Sequence, residues 1–298
     1  MVQTPAVKKT PSFTKLPLSR HARKKRLSKC LQVALVLLIT LLYISPLYIS
    51  FNYSFKTPEE LGTSSPMELP SSLYLGNYYQ VITQNRDFVT GFTNSLISTV
   101  CIVGVLTFIT PMASYVLARS TSRFSTFAYY VFMTGILIPF QCIMYPVYVN
   151  LKALNLIDTL SGYIIVRTGF QIGMCILIQT NFVKTVPAEL EEAACIDGAS
   201  IFQSFWMIVF PLMKPINVTM LVINALNAWN DYTEAVCILQ SSSKRTLPLA
   251  QLLYTSESGV EINLAFAFFG LCMLPVLVLY LFTQRYIVSG IMSGSVKG

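Results

Sequence analysis

Six stretches of about 20 mainly apolar residues run along this chain, at roughly 31–51, 91–117, 127–149, 160–183, 215–239 and 263–285. Each is long enough to cross a hydrocarbon layer about 30 Å thick as a helix. In lipid every backbone N–H and C=O must find its partner within the protein, which leaves helices or a closed barrel, and runs of this length select helices. The wider composition agrees: 54% of the 298 residues are hydrophobic, 11% are charged and the mean hydropathy is +0.59. The expected fold class is therefore all-α integral membrane with six transmembrane helices. The first stretch has a long apolar run and no A-x-A site after it, so it reads as a retained anchor rather than a cleaved signal. Pro111, Pro139, Pro146 and Pro275 interrupt spans, which membrane helices tolerate where neighbours satisfy the freed backbone groups.

The net charge of +8 would suggest a nucleic-acid partner if it were spread over the chain, but it is not. Residues 1–30 hold nine Lys or Arg and no acid, so the rest of the chain is close to neutral. A basic tail ahead of an apolar segment sets membrane orientation, and no nucleic-acid binding is expected. With the N-terminus in the cytoplasm, the inner segments (1–30, 118–126, 184–214 and 285–298) carry 15 basic residues and the outer segments (52–90, 150–159 and 240–262) carry five. Both termini are thus expected inside, with the membrane itself as a partner. Tyrosines at span ends, such as Tyr43, Tyr48, Tyr129, Tyr130 and Tyr286, read as interface anchors.

Several chemistries are excluded. The seven cysteines show no CxxC spacing and lie in or beside apolar stretches, as small buried hydrophobes do. His21 is the only histidine and lies in the tail, so one chain cannot build a His-based catalytic or metal cluster. No GxxxxGK[ST] stretch is present. The chain is expected to be no enzyme, to bind no metal or cofactor, and to hydrolyse no nucleotide itself.

Residues 184–214 are too ordered for a plain connector. Pro187 suits the first turn of a helix, and Ala188–Ala194 are strong helix formers with acids towards the start. Asp197-Gly198 should break that helix. Ser200, three residues before Gln203, has capping-box spacing and should open a second helix that runs to Phe210 and is ended by Pro211 and Pro215. A hairpin presenting Glu189, Glu191, Glu192 and Asp197 suits a basic protein partner better than anionic headgroups.

Span five is unusually polar. Asn217, Asn224, Asn227, Asp231 and Glu234 follow helical spacing and predict one polar stripe, joined from span four by Arg167, Thr168, Gln171 and Gln179. Polar groups in lipid face a bundle interior or a wet cavity, so the stripe either bonds neighbouring helices or lines a path. Arg167 and Asp231 sit at matching depth from the outer ends of their spans, which predicts an ion pair of Arg167 with Asp231 or Glu234.

One set of stretches carries a family resemblance. "EAACIDGASIFQSFWMIVFPLMKP" (192–215) resembles the EAA loop of permease subunits from binding-protein-dependent ABC importers, supported by "FTNSLIST" (92–99), "YVLARSTSRF" (115–124), "IDTLSGYII" (157–165), "NAWNDYTEAV" (227–236), "TLPLAQ" (246–251) and "QRYIVSGIMSGSVKG" (284–298). The likeness covers most of the chain from residue 31 onward. It points to the carbohydrate branch, near the second permease subunit of maltose-type importers. One departure is Asn155, where the pattern usually has glycine and local turn geometry is expected to differ.

The resemblance implies a MetI-like ABC importer permease fold, with a transmembrane domain over 31–298 and a cytoplasmic helical coupling loop over 184–214. It implies that Glu191, Glu192, Ala193, Ala194, Asp197, Gly198 and Ala199 dock onto a cytoplasmic ABC ATPase dimer, which would use ATP and Mg. A second permease subunit in a heterodimer and an extracytoplasmic solute-binding protein are the other implied partners. The chain would sit in the cell membrane of a prokaryote as a multi-pass protein. Arg167, Gln171, Asn224, Asn227, Asp231 and Glu234 are candidates for the path of a sugar or oligosaccharide. A permease for glycerol phosphate or a polyol is the alternative within the family, and a proton-coupled carrier the alternative outside it.

Overall fold

The computed structural model describes the backbone of residues 20–257 and 262–295, with side chains over 28–252 and 262–284. Residues 1–19, 258–261 and 296–298 lie outside the described residues, and of His21 and Tyr286 only the backbone is described. The chain divides into two compact units, Met1–Ile49 and Ser50–Gly298.

The first unit consists, where described, of most of helix α1 (Arg20–Ser54), which continues into the second. Over residues 28–50 no residue of α1 is buried within the chain, and Leu31, Leu38 and Leu42 are 65–73% exposed. In a membrane protein such a surface meets lipid or another subunit.

In the second unit, α2 (Pro58–Thr63) and α3 (Gly76–Gln84) precede the long α4 (Arg86–Arg119). Next come α5 (Arg123–Leu137), α6 (Phe140–Ala153), α7 (Leu160–Val183), α8 (Glu189–Ile196) and α9 (Ile201–Leu212). The remainder are α10 (Lys214–Trp229), α11 (Thr233–Ile238), α12 (Leu247–Glu257) and α13 (Ile262–Ser295). No strand occurs among the described residues.

Among the described residues four helices are long and apolar enough to cross a membrane singly, and the number rises to six when each of two bent pairs is one span. The expected third span is one such pair: α5 and α6 meet at 106°. Pro139 is the cause, because a residue preceding proline is pushed out of the α region, and Ile138 is extended at φ −88°, ψ 110°. Pro111 and Pro275, by contrast, lie within continuous helices. The expected fifth span differs as well. A 74° bend between α9 and α10 sets it off from the loop ahead of it, and α10 ends at Trp229 rather than running to residue 239. There the Asp231 carboxylate accepts the N–H groups of Glu234 and Ala235, giving the backbone an alternative to the helical ladder.

Helices α4, α7 and α10 form the core. Ile102, Leu106, Tyr163, Cys175, Met213 and Met220 are buried together there. A second cluster packs Val81 and Phe88 against Trp229, Leu247 and Phe268, with Phe88 and Phe268 edge to face. The buried-cysteine expectation holds for Cys175 alone. Cys237 and Cys272 are half-buried; Cys30, Cys101 and Cys142 are exposed because a membrane helix turns much of its apolar face outward, and Cys195 is exposed on the hairpin helix α8.

Segments expected on the same side of the membrane meet one another. Asn94 donates to the carbonyls of Ser243 and Arg245, and the hydroxyl of Ser95 accepts the Leu247 N–H, which joins "FTNSLIST" to "TLPLAQ". Asp158 accepts the N–H groups of Gln240 and Ser241 at 2.9 Å each. In the turn before α7, Asn155 takes φ +55°, a left-handed conformation that asparagine tolerates. Gly162 is needed nearby, since a Cβ there would stand 2.2 Å from the Leu156 carbonyl oxygen.

Candidate functional site

Two constructions stand out: the helical loop between α7 and α10, and a cavity walled by α7, α10 and α11.

The loop is a hairpin of two short helices. α8 begins at Glu189, with Glu189, Glu191 and Glu192 in the first turn, where acids complement the helix dipole. Gly198 takes φ +89° and ends it, with the Ala199 N–H returning to the Ala194 carbonyl. Ser200 and Gln203 form the full capping box that opens α9. Pro211 does not stop α9, which runs on to Leu212. Instead the turn ahead of it, Phe205–Val209, widens to a π turn, in keeping with a proline that has no N–H to give the preceding turn.

The loop's residues fall into two sets. Glu192, Ala193, Asp197 and Gly198 are exposed, while Ala194 and Ala199 are half-buried. Around them Ile196, Ile201, Phe202 and Met207 are 62–87% exposed, an apolar surface on a segment that lacks the length to span a membrane. Glu191 turns the other way. Arg119 donates from Nη2 and Nε to its Oε1 at 2.6 and 2.9 Å, and the Tyr115 hydroxyl donates to its Oε2 at 2.7 Å. Arg119 Nη2 also reaches the Val186 carbonyl at 2.8 Å. Glu191 therefore anchors the hairpin to the end of α4 and offers no free carboxylate to a partner. Tyr115 and Arg119 lie within "YVLARSTSRF", but nothing local in that stretch reveals their acid.

The cavity, of about 610 Å³, collects all six path candidates: Arg167 and Gln171 from α7, Asn224 and Asn227 from α10, Asp231 from the break, and Glu234 from α11. Arg167 Nη1 lies 2.7 Å from Glu234 Oε1 and 3.9 Å from Asp231 Oδ1, and Nη2 donates to the Asn227 carbonyl at 2.8 Å. The ion pair expected from matching depth is present, and Glu234 is its closer member.

The rest of the polar stripe divides between two uses. Gln179 donates to Asn217 at 3.1 Å, and Asn224 donates to the Cys175 sulfur at 3.1 Å, stitching α7 to α10. Asn227 and Asn230 are exposed towards the cavity. Because α10 ends at Trp229, Asp231 and Glu234 are not on the same helix as Asn224, and it is the break that brings them to one wall. Phe140 and Phe170, packed edge to face at 5.3 Å, and Gln141 also line it; the stripe read from spans four and five could not include Phe140 and Gln141, which lie beyond the Pro139 bend on α6, and Phe170 is apolar.

A helical membrane chain with a polar cavity among bent spans and an exposed two-helix loop has the architecture of a transport component. Residues 106–293 match the family described as "Binding-protein-dependent transport system inner membrane component", and the chain belongs to that family. Among curated relatives, the probable starch degradation products transport system permease protein AmyC of Thermoanaerobacterium thermosulfurigenes is 34% identical over 92% of this chain and 99% of its own length. The multiple sugar-binding transport system permease protein MsmG of Streptococcus mutans is 34% identical over 86% of this chain and 93% of its own. The melibiose/raffinose/stachyose import permease protein MelC of Bacillus subtilis is 30% identical over 94% of this chain and all of its own. Among solved structures, a bacterial ABC transporter for import of the acidic polysaccharide alginate superposes with a TM-score of 0.78, covering 93% of this chain and 99% of the matched one at 23% identity. The fold is that of an ABC importer permease.

Proposed function

We propose that this chain is a transmembrane subunit of an ATP-driven importer that moves a sugar or oligosaccharide into the cytoplasm. The observation that carries the reading is the convergence of six polar residues, foreseen from two separate stretches, on one cavity between α7, α10 and α11 in a member of a solute-transport family. Amides and rings suit sugars, which carry hydroxyls and apolar C–H faces. The names borne by the relatives AmyC, MsmG and MelC favour the same substrate class.

In this reading the hairpin of α8 and α9 faces the cytoplasm and seats on a separate ABC ATPase dimer, through exposed Glu192, Ala193, Asp197 and Gly198 and the apolar Ile196, Ile201 and Phe202. The chain is no enzyme and holds no cofactor; ATP and Mg belong to the ATPase. A second permease subunit supplies the other half of the path, and an extracytoplasmic solute-binding protein delivers cargo. Both termini are cytoplasmic, as the basic-residue asymmetry indicates.

The test is uptake of radiolabelled saccharides by a strain lacking this chain, with and without the chain and the ATPase restored together. Uptake that requires both supports the reading. Uptake driven by the chain alone under a proton gradient would replace it with the carrier.

A further inference from the structure

The charges around the cavity are unequal. Among the described lining residues Arg167 is the only cation, while Asp231 and Glu234 are both acids. Arg167 is already engaged at both outer nitrogens, with Nη1 on Glu234 at 2.7 Å and Nη2 on the Asn227 carbonyl at 2.8 Å. Glu234 balances Arg167 in charge. Asp231 is left 3.9 Å from the guanidinium, with its oxygens on the N–H groups of Glu234 and Ala235. The two acids are 4% and 7% exposed, so bulk water screens them little. By formal count the cleft holds one acid more than it has cations, in a low-dielectric setting where a field is focused rather than dissipated.

The neutral groups complete the picture. Asn227, Asn230 and Gln141 each present a donor and an acceptor. Gln171 is buried, lines the cavity and has no partner for its Oε1. A hydroxyl can both give and take hydrogen bonds here and can satisfy that oxygen. A carboxylate or phosphate can only accept, meets a guanidinium already paired with Glu234, and adds to the acidic side of the balance.

We propose that this cavity is charge-selective: it accepts neutral polyhydroxylated ligands and turns away acidic saccharides, both uronates and sugar phosphates. The inference rests on the reading of the cavity as the substrate path. Arg167 serves in it as an internal counter-ion and does not recognise an anion.

The experiment measures the cavity's own field. The complete importer, with this chain's native cysteines replaced, receives Asn227→Cys or, as an independent reporter, Asn230→Cys. Each thiol is labelled with methanethiosulfonates that differ in charge: neutral methyl, cationic trimethylammonioethyl and anionic sulfonatoethyl. Rates are normalised to those of free cysteine. The cationic reagent is expected to outpace the anionic one by about tenfold or more, the low end of electrostatic focusing in a cleft. The ratio should fall towards one with Asp231→Asn or Glu234→Gln, and should fall as salt is raised. A normalised ratio at or below one at both reporters overturns the proposal even if the neutral reagent reacts readily and the path reading stands. If the neutral reagent labels neither reporter in any nucleotide state, the cavity is not an open path, and both readings fall.

Discussion

Glu191 Oε1 stands 2.6 Å from Arg119 Nη2 while its Oε2 accepts the Tyr115 hydroxyl, so one carboxylate ties the acidic hairpin to the end of α4. Arg119→Ala leaves that carboxylate with the tyrosine alone. The side chains are 24% and 12% exposed, which moderates the penalty, and about 1–2 kcal/mol is expected. Thermal unfolding of the purified chain should register the loss for Arg119→Ala and Glu191→Ala. The exchanged pair Arg119→Glu with Glu191→Arg should recover part of it. An unchanged melting temperature in both single variants would show that the anchor contributes nothing.

Glu192 is adjacent in sequence and opposite in environment, being exposed where Glu191 is engaged. Glu192→Lys should leave the stability within about 0.5 kcal/mol of wild type, as surface changes do. It should nevertheless reduce co-purification with the ATPase or uncouple hydrolysis from uptake. Normal coupling in this variant would remove Glu192 from the docking surface.

Gly198 separates backbone from contact. Nothing lies within 4 Å of a Cβ placed there, so space within the chain is open and the obstacle is φ +89°. Gly198→Val should cost about 1–2 kcal/mol or more in strain, whereas Gly198→Asn should cost less because asparagine tolerates left-handed angles. If both variants fold and yet both lose the ATPase, close approach to the partner is the requirement. If only the valine variant fails, the turn is.

For Arg167 the structure decides which acid matters more. Arg167→Leu leaves two buried acids without their cation and should impair assembly or transport by an amount near the 3–5 kcal/mol seen for broken buried pairs. Glu234→Gln should restore more of the loss than Asp231→Asn, because Glu234 is the 2.7 Å partner and Asp231 also holds the first N–H groups of α11. Equal or reversed rescue, read as folded yield and uptake, would contradict this assignment.

Asp158 predicts an acid-labile clasp outside the spans. Burial raises its pKa, but the Ser241 hydroxyl and the N–H groups of Ser241 and Gln240 outweigh that and hold it below the ordinary carboxylate value. A depressed folded-state pKa contributes stability above the unfolded value, near 4, and that contribution is lost as pH falls through the lower folded one. Protease cleavage around Ser242–Lys244 should therefore rise only as pH drops below about 4. Asp158→Asn should be more open at neutral pH and lack that acid step. A wild-type profile in the variant would dismiss the clasp.

The sequence by itself determined whatever depends on neighbours along the chain. Apolar runs marked the helices because lipid demands internally bonded backbone. Asp197-Gly198 and the Ser200–Gln203 box marked the hairpin because caps and left-handed turns are set within a few residues. Equal depth in two spans was enough to bring Arg167 and an acid together. Tertiary structure decided the rest. Whether a proline bends a helix depends on packing around it: Pro111 and Pro275 sit in continuous helices while Pro139 stands at a 106° break. Glu191 and Glu192 look alike in sequence, and only the position of Arg119 across α4 separates an anchor from an exposed acid. The cavity exists because α10 stops at Trp229 and Asp231 caps a new helix, so residues read as one helical stripe come to line a wall made from three helices and the break between two of them. Helical periodicity assigns faces only while the helix continues, and where it ends the partners come from other elements that spacing along the chain does not reveal.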